Sequence, residues 1–166
     1  GWTLCQAANG YLGWVDDRGL VLDESPPPPP VHQTCLDLGH LAETALEYLG
    51  VPYLWGGTGS GGIDCSGFVA AVFEHHGLIL PRDAHQQMLG GRIVATYDTP
   101  QPLRTGDLLF FTHEDGKIGH VGLSLGDWKV IHAEEPGVCI FSLNPEDSDF
   151  DAYRARHFVI AKRYLL

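Results

Sequence analysis

Beyond residue 33 the apolar positions first recur every three or four residues and later every second residue. Leu38, Leu41, Ala42, Ala45, Leu46 and Leu49 fall on one helical face. Thr34 is placed to cap that helix, and Gly50 and Pro52 to stop it, so a helix is predicted from Thr34 to about Leu49. A second is predicted from about Cys65 to His76, with Phe68, Val69, Val72 and Phe73 inward and Gly77 as terminator. A short third is predicted over Asp83–Leu89. From residue 107 the period changes to two, and strands are predicted at Asp107–Thr112, Ile118–Leu125, Lys129–Glu134, Val138–Ser142 and His157–Tyr164. Their connections are too short for parallel crossovers, which makes neighbours antiparallel. Helices first and strands after predict an α+β domain, with the helices packed on an antiparallel sheet.

Upstream the pattern is different. Asn9-Gly10 is a turn dipeptide, and Tyr11-Leu12-Gly13-Trp14-Val15 reads as a short strand after it. This piece resembles the closing hairpin of a bacterial SH3-like domain; it also reads as an extra hairpin on the main domain. Pro26–Pro30 are consecutive, which favours a stiff polyproline II spacer, with an SH3-ligand segment as the alternative. The predicted organisation is a β segment over 1–24, a proline-rich linker over 25–32 and the main domain over 33–166. No internal repeat is visible.

Composition removes several partners. The chain of 166 residues has 10 basic and 21 acidic side chains, a net charge of −11. A nucleic-acid backbone or an anionic membrane surface calls for Lys/Arg patches that this balance does not supply. No apolar run approaches the roughly 20 residues that span a bilayer. The four cysteines, Cys5, Cys35, Cys65 and Cys139, form no CxxC pair and are too widely spaced for a compact disulfide framework. A single Cys5–Cys35 bridge fits the count, so the redox compartment is open.

The candidate chemistry starts in Tyr53-Leu54-Trp55-Gly56-Gly57-Thr58-Gly59-Ser60-Gly61-Gly62-Ile63-Asp64-Cys65-Ser66-Gly67-Phe68. A phosphate-binding loop would need Lys before Ser/Thr at the helix start, and none is there. A flexible linker would not run straight into an apolar helix with Cys in its first turn. The remaining reading is a reactive cysteine at a helix N-terminus, where unpaired N–H groups and the helix dipole favour thiolate; a buried structural cysteine is the plain alternative.

A cysteine nucleophile needs a base, usually histidine. His120 and His132 flank Leu125-Gly126-Asp127, a plausible three-residue turn. A hairpin centred on Gly126 sets Ser124 opposite Trp128, Gly122 opposite Val130 and His120 opposite His132. Both imidazoles then share one face, while Val121, Leu123, Ile131 and Ala133 point to the other. If the Cys65 helix packs on the histidine face, one histidine is the base and the other orients it, as in a triad. Two surface histidines, or a metal site adding His113, Asp115 or Cys65, are the competing readings. His75-His76 end a helix and read as structural; His85 carries no assignment.

Six segments occur in the order found in NlpC/P-sixty cysteine peptidases: Tyr53-x-Trp55-Gly56-Gly57, Asp64-Cys65-Ser66-Gly67-Phe68, Leu80-Pro81-Arg82-Asp83, Arg104-x-Gly106-Asp107-Leu108, His120-Val121-Gly122 and Ile131-His132-Ala133. The resemblance covers about residues 36–164. It implies a papain-like α+β core that hydrolyses bacterial cell-wall stem peptides at the γ-D-glutamyl–diamino acid bond without metal or organic cofactor. It assigns Cys65 as nucleophile, His120 as base and His132 as third member. With an SH3-like segment upstream, it resembles the subgroup that takes peptides with a free N-terminal L-Ala. There Asp83 would bind the substrate ammonium, as charge complementarity requires, and Tyr53 and Ser66 would line the cleft. Arg82 would face a glutamyl carboxylate or form a structural ion pair. The chain departs from the pattern at Ala84, where Ser is usual, so one hydroxyl contact to substrate is missing. A related papain-like amidase or acyltransferase, and a non-catalytic cell-wall binding module, are the rival readings. The bacterial cytoplasm and the cell envelope are both open as its location.

Overall fold

A computed structural model describes residues 1–6, 12–19, 38–99, 101 and 103–164. The proline run, Thr34, Cys35 and the Asn9-Gly10 turn lie outside the described residues, and the linker and a Cys5–Cys35 bridge with them. At the N-terminus, β1 (Trp2–Gln6) pairs antiparallel with β2 (Leu12–Asp16), Trp2 opposite Asp16 and Gln6 opposite Leu12.

The main domain begins, among the described residues, with α1 (Leu38–Leu46). Leu41 and Ala45 are fully buried, but Leu46 and Leu49 are exposed. The buried stripe of α1 is therefore Leu41, Thr44 and Ala45, narrower than the apolar spacing predicts. Next come a two-residue pair, β3 (Thr58–Gly59) and β4 (Gly62–Ile63), and then α2 (Cys65–His75). Asp64 caps α2, its carboxylate accepting from the Gly67 N–H at 2.7 Å. Phe68, Val69, Val72 and Phe73 are all fully buried, as the helical period predicts. The third helix, α3 (Ala84–Gln87), is one turn long, with Asp83 at its N-cap.

Next are β5 (Arg92–Thr96), β6 (Leu108–Thr112), β7 (Ile118–Gly126), β8 (Lys129–Glu134), β9 (Gly137–Ser142), α4 (Ala152–His157) and β10 (Phe158–Arg163). Six of these strands form one antiparallel sheet in the order β5-β10-β6-β7-β8-β9. Every strand predicted from the alternating pattern is present. Two of these seven elements are additional to the prediction: β5, an edge strand whose burial does not alternate cleanly, and α4, a helix within the strand half of the chain.

Alternation divides the core. On one face Leu108, Phe110, Val121, Leu123, Ile131 and Ala133 pack with Leu41, Phe68, Val69, Val72 and Phe73 of the helices. On the other, Leu109, Phe111, Val130, Phe141 and Ala161 form a second cluster. The Arg163 guanidinium clamps the buried Asp107 carboxylate at 2.6 and 2.7 Å and ties the last strand to the start of β6.

The β7–β8 hairpin departs from the predicted register. Gly126 pairs with Lys129, leaving a two-residue turn of Asp127 and Trp128 with φ of 46° and 66°. Two positive φ values are the signature of a type I′ turn, whose twist matches the strands it joins. A bulge between Ser124 and Gly126 follows, so Leu123 faces Ile131 and Ser124 faces Val130. The register thus differs by two residues from a hairpin centred on Gly126. His120 and His132 are diagonal neighbours rather than directly opposed. A shift of two preserves the face, so the imidazoles still lie side by side.

Candidate active site

Glycines shape the approach to Cys65 by close contact. A Cβ on Gly67 would lie 2.3 Å from the Gly57 carbonyl oxygen, and one on Gly57 would lie 2.3 Å from that of Gly62. Backbone therefore packs on backbone, and the segment entering β3 lies directly against the first turn of α2. Asp64 fixes this junction. Its carboxylate accepts from the Gly56 N–H at 2.9 Å, the Gly67 N–H at 2.7 Å and the Ser66 hydroxyl at 3.2 Å.

Arg82 completes the network with bonds of 3.0 and 2.6 Å to the two Asp64 oxygens and 2.9 Å to the Ser66 hydroxyl. Ser66 and Arg82, expected to line a cleft and to face either a substrate carboxylate or an ion-pair partner, are 5% and 6% exposed and directed to Asp64. For Arg82 the geometry is that of the ion pair. Gln87, fully buried, donates to the carbonyls of Ser66 at 3.1 Å and Pro81 at 2.8 Å, joining α3 to the start of the Cys65 helix.

Helix α2 packs on the Val121 face of the sheet, opposite the histidines. The condition that it packs on the histidine face is therefore not met; Val121, Leu123, Ile131 and Ala133 supply the apolar surface it needs. The β7–β8 ladder runs no further than Leu123 and Ile131, and beyond that limit the Val121 amide donates toward the Cys65 thiol. Val121 is the residue after His120. Tyr53 is half-buried beside Cys65, and burial, followed by the charge a Cys65 thiolate would carry, raises its phenol.

His120 Nε2 and His132 Nδ1 are 2.8 Å apart, with both rings buried. Phe111 lies 5.8 Å from the His120 ring and Phe141 4.6 Å from that of His132. Glu134 follows His132 by two on the same strand, its Oε2 at 3.6 Å from His132 Nδ1. That oxygen also pairs with Arg154 of α4, whose guanidinium lies 5.9 Å from the Phe111 ring centroid. Across the β8–β9 ladder His132 pairs with Cys139, whose Sγ is 3.4 Å from His132 Nε2.

The electrostatics favour uncharged partners. Burial pushes the Cys65 thiol up, and the Val121 amide opposes this only in part. Burial, then the Arg154 charge, holds His120 well below the ordinary imidazole range. The same two causes bring His132 down to about 3. A helix N-terminus alone favours thiolate, but here desolvation outweighs it. Both directions favour a neutral thiol and neutral imidazoles in the resting site. Arg154 acts on Cys65, His120 and His132 alike, which places all three in its field.

The side chains with metal-ligating atoms gathered here, among the described residues, are His120, His132 and Glu134, within 4.8 Å of one another. They are not the His113, Asp115 or Cys65 set, and the two imidazole nitrogens are already bonded to each other. Asp83 stands at the N-cap of α3. Sequence reasoning missed Glu134, Arg154 and Cys139. Glu134 was open to discovery as the same-face neighbour of His132, and Cys139 by counting across the tight turn after Glu134. Arg154 had no such signal, because α4 itself was not read.

A model of the NlpC/P60 family matches residues 50–157. The chain belongs to the NlpC/P60 family. Gamma-D-glutamyl-L-lysine dipeptidyl-peptidase of Bacillus subtilis is 42% identical over 113 residues, 67% of this chain and 37% of that protein. A crystal structure of an NlpC/P60 family protein from Bacillus cereus superposes with a TM-score of 0.69 at 34% identity, covering 80% of this chain and 42% of the other. The chain thus spans about two fifths of the length of these relatives. RipD of Mycobacterium tuberculosis, a non-catalytic NlpC/P60 domain protein adapted to peptidoglycan binding, aligns with a TM-score of 0.58 and 26% identity over 77% of this chain and 97% of its own. The NlpC/P60 fold is α+β, as the order of helical and alternating segments predicts.

Proposed function

We propose that this domain is a cysteine peptidase that hydrolyses the γ-D-glutamyl–diamino acid bond of peptidoglycan stem peptides, acting on peptides with a free N-terminal L-Ala. The observation that carries the reading is the 2.8 Å bond between His120 Nε2 and His132 Nδ1, together with Cys65 at a helix start and the amide of Val121, the residue after His120, acting on its thiol. That bond leaves Nδ1 of His120 as the nitrogen for the thiol. The kinship with a protein named for cleavage at γ-D-glutamyl-L-lysine supports the substrate class.

In this mechanism Cys65 attacks the scissile carbonyl as its proton passes to His120. Burial favours the neutral thiol, so in this reading proton transfer accompanies attack. The backbone N–H of Cys65 and the Tyr53 hydroxyl serve the oxyanion; one such donor is typically worth about 2.7–4 kcal/mol. His120 returns the proton to the leaving amine, and water then cleaves the thioester. Asp83 is the carboxylate proposed to hold the L-Ala ammonium, at a position preceding Ala84 rather than the usual Ser. Among the described residues no helix is long and apolar enough to cross a membrane.

The test is mass spectrometry of products from L-Ala-γ-D-Glu-L-Lys peptides with free and acetylated N-termini. Cleavage after D-Glu is expected only for the free peptide, and none with Cys65→Ala. Turnover by Cys65→Ala would sink the assignment. Tight binding of peptide by the parent chain without turnover would favour a wall-binding role like that of RipD.

A further inference from the structure

Cys139 is an exposed residue of β9 that the proposed mechanism does not use, yet its thiol touches the histidine behind the base. A neutral imidazole carries one proton and one bare nitrogen. For His120 to accept the Cys65 proton at Nδ1, its own proton must sit on Nε2. That Nε2–H then donates to His132 Nδ1 across 2.8 Å. His132 Nδ1 must therefore be bare, and its proton must sit on Nε2. The group facing His132 Nε2 is Cys139 Sγ, at 3.4 Å.

The opposite arrangement is inactive. A proton on His132 Nδ1 would donate to His120 Nε2 and drive the His120 proton onto Nδ1, toward the thiol that must be deprotonated. Glu134 favours that arrangement, because its Oε2 stands 3.6 Å from His132 Nδ1. Arg154 counters it by pairing with the same oxygen. Two groups thus bias one proton: the Arg154–Glu134 pair weakens the pull at Nδ1, and a sulfur acceptor attracts the proton to Nε2.

We propose that Cys139 is a positioning residue that holds His132 in its Nε2–H tautomer and so keeps Nδ1 of His120 bare to receive the Cys65 proton. The proposal rests on reading His120 as the base. Cys139 touches neither substrate nor the reacting atoms. Its sulfur faces His132 Nε2 at 3.4 Å, and in the proposed tautomer it is the weak acceptor of that contact. The bond is an N–H···S contact on a paired position of the ladder, which fixes the donor–acceptor distance through the backbone.

The tautomer is read directly by 15N NMR of histidine-labelled full chain in the Cys65→Ala background, where no turnover is needed. His132 is expected to show a bare Nδ1 and a protonated Nε2. Cys139→Ala is expected to mix the two forms, and Cys139→Ser, which keeps an acceptor, to restore the first. In chains retaining Cys65, Cys139→Ala should lower kcat on L-Ala-γ-D-Glu-L-Lys by about fivefold, the scale of one neutral hydrogen bond, with KM unchanged and rescue by Cys139→Ser. Cys139→Val serves as a second acceptor-free variant if the alanine form folds poorly. A proton on His132 Nδ1 in the parent overturns the proposal, and so does a tautomer or a kcat that acceptor-free variants leave unmoved. A peptide left uncleaved by the parent refutes the functional reading instead, and the tautomer result still stands by itself.

Discussion

Arg82 admits two roles that a single substitution separates. Its guanidinium meets both Asp64 oxygens, at 3.0 and 2.6 Å, with the two side chains 4% and 8% exposed. Arg82→Met keeps most of the side-chain volume and removes the charge. It leaves the Asp64 carboxylate buried without its cation, a change that costs about 3–5 kcal/mol at comparable sites. Asp64 retains the N–H groups of Gly56 and Gly67 and the Ser66 hydroxyl, so the lower end, about 3 kcal/mol, is expected. For a domain of this size that corresponds to a melting temperature lower by roughly 10 °C. The assay is urea and thermal unfolding followed by circular dichroism. An Asp64→Asn/Arg82→Met double-mutant cycle isolates the coupling between the two. If Arg82 serves a substrate carboxylate instead, the variant would melt within about 2 °C of the parent and show a raised KM. That result would refute the structural reading of the pair.

Three further outcomes are expected. Alkylation of Cys65 by iodoacetamide should be slow at pH 7, because burial raises the thiol and keeps the thiolate scarce, and should rise steeply in alkali; a flat rate from pH 5 to 8 would indicate a resting ion pair. Stability should fall as pH drops from about 6.5 toward 3, because His120 and His132 are held neutral in the fold while the unfolded chain binds those protons. The slope is about 1.4 kcal/mol per pH unit for each imidazole, and His132→Gln should remove one share, as read by urea titrations at stepped pH. Gly67→Ala places a methyl 2.3 Å from a backbone oxygen, so it should destabilise by about 1–3 kcal/mol and lower kcat by displacing the Cys65 turn; unchanged unfolding and kinetics would count against the close-packed loop.

Much of the site was legible because it rests on short-range rules. The Gly-rich approach and the apolar helix announced Cys65 in the first turn of a helix, and the structure adds Asp64 as its cap. Alternation placed His120 and His132 on one face although the predicted turn was wrong. A two-residue turn with Asp and Trp at positive φ is unusual, since Asn-Gly is the common choice. No local rule favoured it over the Leu-Gly-Asp turn. Features set by tertiary contact were less legible. Leu46 and Leu49 continue the apolar spacing of α1 but lie beyond what α2 covers. The six-residue α4 is too short for a clear period, and its Arg154 takes meaning only from Glu134, 20 positions earlier. The balance between helix dipole and burial at Cys65 likewise depends on what packs around it.

The bulge and the two-residue turn of the β7–β8 hairpin impose a rule of parity on insertions and deletions. Losing one residue between Ser124 and Lys129 would re-pair Ser124 with Ile131 and turn His132 toward the side that α2 covers. Losing or gaining two would keep both imidazoles on their common side and merely slide them along it. Even steps therefore preserve the face, though not the 2.8 Å contact between the two rings. Odd steps carry the whole cost of an inverted strand, with His132 on the far side from His120 and apolar Ile131 and Ala133 beside it.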